Sequence, residues 1–178
     1  MKSFLLVKVK PQAEKLMEVF KGMPEVRETH LITGKFDILL TLDTADHNNI
    51  DPRRDVAHTV LSKIRALPGV TDTRTIVPID SKTGPTPPVT RPTAKGFVFI
   101  DCASGKTEKL MTAVLAVPEV HATHMLFGKT DLLAEVEVEK SFVNPPANHI
   151  SSIVQSAISK LPGVRDTDTI VPIESYVK

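Results

Sequence analysis

Leu67-Pro-Gly-Val-Thr-Asp-Thr-Arg-Thr-Ile-Val-Pro-Ile79 reappears as Leu161-Pro-Gly-Val-Arg-Asp-Thr-Asp-Thr-Ile-Val-Pro-Ile173, 94 positions later. Working outward, Gly34-Lys35-Phe36-Asp37 returns as Gly128-Lys129-Thr130-Asp131, and Pro24-Glu25-Val26 as Pro118-Glu119-Val120. Pairing Ser3–Ser81 with Phe97–Ser175 almost without gaps gives 29 identities in 79 positions. A fixed period over that length is a duplication, so each half reads as one folding unit of about 80 residues. The expected boundaries are 1–80 for the first repeat, 81–94 for a linker and 95–178 for the second.

The pattern within one repeat sets the fold. Ser3–Val9 is rich in β-branched and aromatic residues and reads as a strand. From Gln12 to Gly22, Leu16, Val19, Phe20 and Met23 fall at helical spacing. Glu25–Ile32 and Phe36–Leu42 are extended runs about Thr33-Gly34-Lys35, a hairpin with Gly34 at positive φ. Asp51 before Pro52 predicts a helix N-cap and first turn, and Val56, Val60, Ile64 and Leu67 mark the buried stripe of that helix. Val70–Ile79 is expected as one last strand. The order is β-α-β-β-α-β, an α+β ferredoxin-like plan, present twice. In the second repeat the corresponding strands are Phe97–Ala103, His121–Leu126, Asp131–Val138 and Val164–Ile173. Its helices are Lys106–Ala116 and one beginning near Asn144-Pro145.

Asp80–Ala94 is rich in proline and is expected to be a semi-extended, exposed linker. Such units carry helices on one sheet face only. Leu5, Val7 and Val9 alternate with Phe4 and Leu6, so the strand is apolar on both faces. The expectation is that the two helix-free faces pack sheet on sheet, as in a dimeric α/β-barrel.

Hydrophobic residues are 41% and charged residues 24%, values typical of a globular protein. With 22 basic against 21 acidic residues and no basic stripe, direct nucleic-acid binding has no electrostatic footing. The lone cysteine, Cys102, excludes an intrachain disulfide and suits a cytoplasmic location; a buried, inert thiol is expected. The opening apolar run is broken by lysines and is too short for a signal peptide or membrane span.

Lys8-Val-Lys-Pro11, Met23-Pro-Glu-Val26, Thr33-Gly-Lys-Phe-Asp37 and Leu67–Thr75 together resemble the ligand-binding (RAM) domain of the Lrp/AsnC family. No helix-turn-helix segment accompanies it here, so the resemblance implies a stand-alone, duplicated effector domain. It further implies a small effector, typically an amino acid, held near the hairpin turn and last strand. Homo-oligomer assembly and action on transcription through a DNA-binding partner protein would follow.

On the residues themselves, the Gly34 turn offers backbone N–H groups to a carboxylate, and Asp37 offers a carboxylate to an ammonium. The alternative is a tight turn with a capping aspartate. Thr71, Thr73 and Thr75 share a strand face and either line a polar pocket or simply suit a strand. The candidate ligand-binding set is Thr33, Gly34, Lys35, Phe36, Asp37, Thr71, Thr73 and Thr75, with Gly128, Lys129, Thr130, Asp131, Thr167 and Thr169 in the second copy. The copies differ there: Thr33 becomes Phe127, Phe36 becomes Thr130, and Arg74 becomes Asp168. The gap-free pairing also matches Val7 with Asp101 and Lys8 with Cys102. Ligand contacts are therefore expected mainly from the first repeat.

His30 and His124 are equivalent, with His121 nearby; His121 and His124 lie three apart on a strand and face opposite sides. Hydrogen bonding is the expected role, and no metal or cofactor is assigned. No nucleophile triad order, phosphate loop or CxxC motif appears. A small oxygenase- or isomerase-type enzyme and a ligand-free assembly module stand as alternatives to the regulator.

Overall fold

A computed structural model describes residues 1–11, 13–44, 51–85, 92–141 and 143–178. The chain forms two compact units, Met1–Val77 with Pro172–Lys178, and Pro78–Val171. Each unit carries one five-stranded antiparallel sheet.

In the first unit the strands are β1 (Lys2–Val9), β2 (Val26–Leu31), β3 (Ile38–Asp43) and β4 (Val70–Ile76), with helices α1 (Ala13–Gly22) and α2 (Pro52–His58). Asp51 caps α2 as expected, its carboxylate accepting the Arg53 N–H at 3.0 Å. A wider π-turn, Thr59–Ile64, continues that helix. The predicted first residue of α1, Gln12, lies outside the described residues, as do 45–50 ahead of α2.

In the second unit β5 (Asp80–Thr83) precedes β6 (Thr93–Cys102), α3 (Thr107–Leu115), β7 (Val120–Met125), β8 (Leu132–Glu139), α4 (Pro146–Ser156) and β9 (Val164–Ile170). The chain ends in β10 (Glu174–Val177). Helix α4 departs from expectation at its start. Its cap position is Pro145, with no side-chain hydrogen bond, and Pro146 takes the first turn.

The last strand of each repeat is shorter than predicted, and the segment after it joins the other sheet. Sheet order is β10-β2-β3-β1-β4 in one unit and β5-β7-β8-β6-β9 in the other. The expected run Val70–Ile79 stops at Ile76; Val77-Pro78-Ile79 then redirects the chain, since proline lacks the ladder N–H. Asp80–Thr83, expected as linker, is a strand paired with β7, and the linker's far end from Thr93 extends β6. The tail Glu174–Val177 pairs with β2 of the first unit. Each repeat thus supplies the edge strand of the other's sheet. Edge positions suit these short segments beside prolines, because only one side must pair. The rest of the linker, 86–91, lies outside the described residues.

One face of each sheet meets the helices. In the first unit Leu5, Val7, Val9, Ile38, Leu40 and Leu42 bury against Leu16, Met17, Phe20, Val56, Val60 and Ile64. In the second, Val98, Ile100, Cys102, Leu132, Ala134 and Val136 bury against Leu110, Met111, Val114, Ile150, Ile153 and Val154.

Strand register corrects the gap-free pairing of the repeats. Phe4 lies opposite Thr41, and Phe97 opposite Glu135, so Phe4 matches Phe97 and the first strands are offset by one relative to everything later. Cys102 therefore takes the place of Val9, not Lys8, and Asp101 that of Lys8, not Val7: Lys8 lies opposite Asp72, Asp101 opposite Asp166. A one-residue slip would turn every side chain to the wrong face. The extra residue is absorbed in the turn Ala103–Lys106, closed by the Lys106 N–H on the Ala103 carbonyl at 3.1 Å. Gly105 takes φ +72° there, which a side chain would disfavour.

Candidate functional site

The predicted turn residues are where the sequence put them. Thr33, Gly34 and Lys35 are exposed, Phe36 is buried and Asp37 is half-buried, with Gly34 at φ +111°. Asp37 has a structural duty: its Oδ2 accepts the Val9 N–H at 2.8 Å, at the bulge that ends the β1–β4 pairing. Asp131 repeats this on the Cys102 N–H at 2.7 Å. The hairpin turn and β4 meet across the end of β1. Lys8 Nζ donates to the Lys35 carbonyl at 3.0 Å, and Thr71 Oγ1 donates to the Lys8 carbonyl at 3.2 Å.

Thr73 and Thr75 do share a face, but it is the helix-covered one, since they lie opposite Val7 and Leu5. In the second unit Gly128 and Lys129 are exposed and Thr130 is half-buried. Thr167 and Thr169 lie opposite Ile100 and Val98, and the Thr167 hydroxyl meets Ser159 Oγ at 3.4 Å. Phe127, in the place of Thr33, is 92% exposed.

The densest buried polar chemistry is elsewhere, on the helix-free sheet faces. In the first unit Glu28, His30, Thr41 and Ser175 share that face with Phe4, Leu6 and Leu39, as their cross-strand pairing dictates. His30 is fully buried. Its Nδ1 lies 2.8 Å from Ser175 Oγ and its Nε2 3.0 Å from Glu28 Oε2, which also accepts from Thr41 Oγ1 at 3.3 Å.

The second unit has the same arrangement. His124 Nδ1 lies 2.8 Å from Ser81 Oγ and its Nε2 2.7 Å from Glu135 Oε1. Lys95 Nζ contacts Glu135 Oε2 at 3.2 Å. The carboxylates, however, do not correspond in sequence. Glu28 on β2 matches Ala122, while Glu135 on β8 matches Thr41. Glu28 lies directly opposite Thr41, and Ala122 directly opposite Glu135. The carboxylate has crossed the ladder to the neighbouring strand and still reaches the same imidazole nitrogen. Position-by-position comparison scores both sites as mismatches, so only strand pairing reveals them. Among the described residues, no three His, Cys, Asp or Glu side chains converge on a metal position.

The Lrp/AsnC ligand-binding domain model matches residues 2–86 and again 95–178. The chain belongs to that family. It carries the Lrp/AsnC domain in tandem, with the two ferredoxin-like units expected from the sequence. No curated protein sequence matches it. Among solved structures, a siroheme decarboxylase, NirDL, in complex with an iron-uroporphyrin III analogue superposes with a TM-score of 0.68 at 12% identity, over 100% of this chain and 72% of that one. A putative monooxygenase from Lactobacillus acidophilus gives 0.53 at 9% identity, over 99% and 95%. A major regulator of staphylococcal pathogenesis gives 0.52 at 8%, over 98% and 100%. At such identities these likenesses speak for fold alone. No helix among the described residues is long and apolar enough to cross a membrane.

Cys102 of this tandem Lrp/AsnC protein is buried in the second core, as expected. Burial, then the charges of Asp131 and Asp101, push its thiol up to about 11. At pH 8 roughly one molecule in a thousand would be thiolate, the nucleophilic form. Iodoacetamide at that pH is expected to leave the folded protein unmodified and to alkylate it once in urea. Intact-mass measurement reads both; rapid alkylation without denaturant would contradict the assigned burial.

Proposed function

We propose that this chain is a small-effector-binding regulatory module of Lrp/AsnC type, with an amino acid as effector. The observation that carries the reading is the family's ligand-binding model matching twice, with only Met1 and residues 87–94 left out. The effector carboxylate would engage the Thr33–Lys35 turn, where Gly34 leaves the backbone open: an added Cβ would meet nothing within 4 Å. Thr71, Lys8 and Lys35 lie on one connected polar surface beside that turn. Asp37 would take the ammonium while keeping its bond to Val9. The first repeat supplies most contacts, because Phe127 and Thr130 alter the second turn. Binding shifts the equilibrium between assemblies, or the choice of a DNA-binding partner, in the cytoplasm; a ligand favours whichever state it binds more tightly.

A thermal-shift screen over the amino acids, with size-exclusion chromatography, tests this. At a hundred times its Kd an effector contributes about 2.7 kcal/mol and raises Tm. Gly34→Val is expected to abolish the shift and Gly128→Val to retain it. No shift with any amino acid would reject the effector reading and favour a ligand-free assembly module.

A further inference from the structure

Burying a histidine–carboxylate pair is seldom the cheapest way to stabilise a core, since apolar residues of similar volume serve as well or better. Yet both units of this chain keep the pair, although the carboxylate has moved between strands. Both also keep a serine on the imidazole's other nitrogen. What persisted is the triad Ser–His–Glu, not the identity of each position. That persistence points to chemistry rather than packing.

The protonation pattern follows from the donors available. Glu135 also meets the Lys95 ammonium, and as a carboxylate it only accepts, which assigns the neutral imidazole's proton to Nε2, facing Glu135. The Nδ1 lone pair is then left to accept from the Ser81 hydroxyl at 2.8 Å. This is the relation a nucleophilic serine needs: a base on its proton and an anion behind the base. Exposure runs the right way too. Glu135 and His124 are buried, whereas Ser81 is exposed on edge strand β5. Ser175, on edge strand β10, stands in the same relation to His30 and Glu28. In each unit the serine is the least buried member of the triad, and its contact with the imidazole is only partly buried.

We propose that Ser81 and Ser175 are nucleophiles able to take an acyl group from carboxylic esters, with His124 and His30 as bases and Glu135 and Glu28 as positioning residues. In the step, the serine Oγ forms a bond to the ester carbonyl carbon while its proton passes to Nδ1. The C–O bond to the alcohol breaks, and the alcohol leaves with the proton from Nδ1. Water then attacks the acyl-serine, its proton returning through Nδ1 to Oγ, and the acid is released. The assignment is independent of effector binding at the Gly34 turn.

Fluorophosphonate is the probe, since it forms a P–O bond to an activated serine and expels fluoride. The full-length chain is expected to gain label at Ser81 and Ser175, mapped by peptide mass spectrometry. His124→Gln should slow labelling of Ser81 by about 100-fold or more, the scale of general-base assistance, and leave Ser175 unchanged. His30→Gln should do the reverse. The unaffected serine in each variant reports that the protein is still folded. Label at one serine alone, following its own histidine, confines the assignment to that unit. Label at neither serine, or label that does not follow its own histidine, overturns it.

Discussion

Removing Pro172–Lys178 is expected to destabilise the first unit, not the repeat from which those residues are cut. In the full chain the Ile173 N–H donates to the Leu31 carbonyl at 2.8 Å and the Lys178 N–H to the Arg27 carbonyl at 3.0 Å, with Glu174–Val177 laddered on β2 between them. At about 1 kcal/mol net for each backbone bond, plus the Ser175–His30 contact, the loss is on the order of 3–5 kcal/mol. It should appear as a lower urea midpoint and as faster amide exchange across Val26–Leu31, with Val120–Met125 keeping its protection. The second sheet is spared because its edge strand, Asp80–Thr83, comes from the first repeat's tail. Exchange that rises at Val120–Met125 instead would mean that each repeat keeps its own last strand.

That reciprocity explains why this protein is a tandem. A single copy whose tail leaves its own sheet needs a second chain to receive it and to return the favour. Joining two copies makes the exchange intramolecular, at the millimolar effective concentration of a short tether. The exchanged edge strands then need no second chain to complete either sheet.

The sequence displayed the order of elements plainly, because the hydrophobic periods of Leu16–Phe20 and Ser3–Val9 are local signals. It hid the exchange, because Val70–Ile79 reads as one continuous extended run, and only the path after Val77-Pro78 decides which sheet receives Asp80–Thr83. It misplaced the first strand by one, because Phe4 and Phe97 align only if a residue is gained in the turn before α3. Asp37 was legible as a turn residue, but its bond to Val9 was not, since that depends on a bulge on another strand. The His–Glu pairs were least visible. His30 and His124 match in sequence, but their partners Glu28 and Glu135 do not, and a direct cross-strand neighbour is a three-dimensional relation.

The same relation makes the carboxylate transplantable. Glu28→Ala alone takes from His30 Nε2 and Thr41 Oγ1 the oxygen that they contact. A cost of about 2–4 kcal/mol is expected, the scale for buried groups losing a charged acceptor. Thr41→Glu alone places two carboxylates on directly opposed residues, and like charges so placed are also unfavourable. The double variant Glu28→Ala/Thr41→Glu recreates Ala122 opposite Glu135, an arrangement that in the second unit puts a carboxylate oxygen 2.7 Å from His124 Nε2. The alanine vacates the space that the new glutamate fills. Most of the lost stability should therefore return, and a double-mutant cycle in urea should give a coupling of about 1–3 kcal/mol in the favourable direction. Strict additivity, with the double variant as unstable as the two single losses together, would show that the two units do not hold the same buried pair. Recovery would show that the imidazole selects a place for negative charge and is indifferent to which strand supplies it.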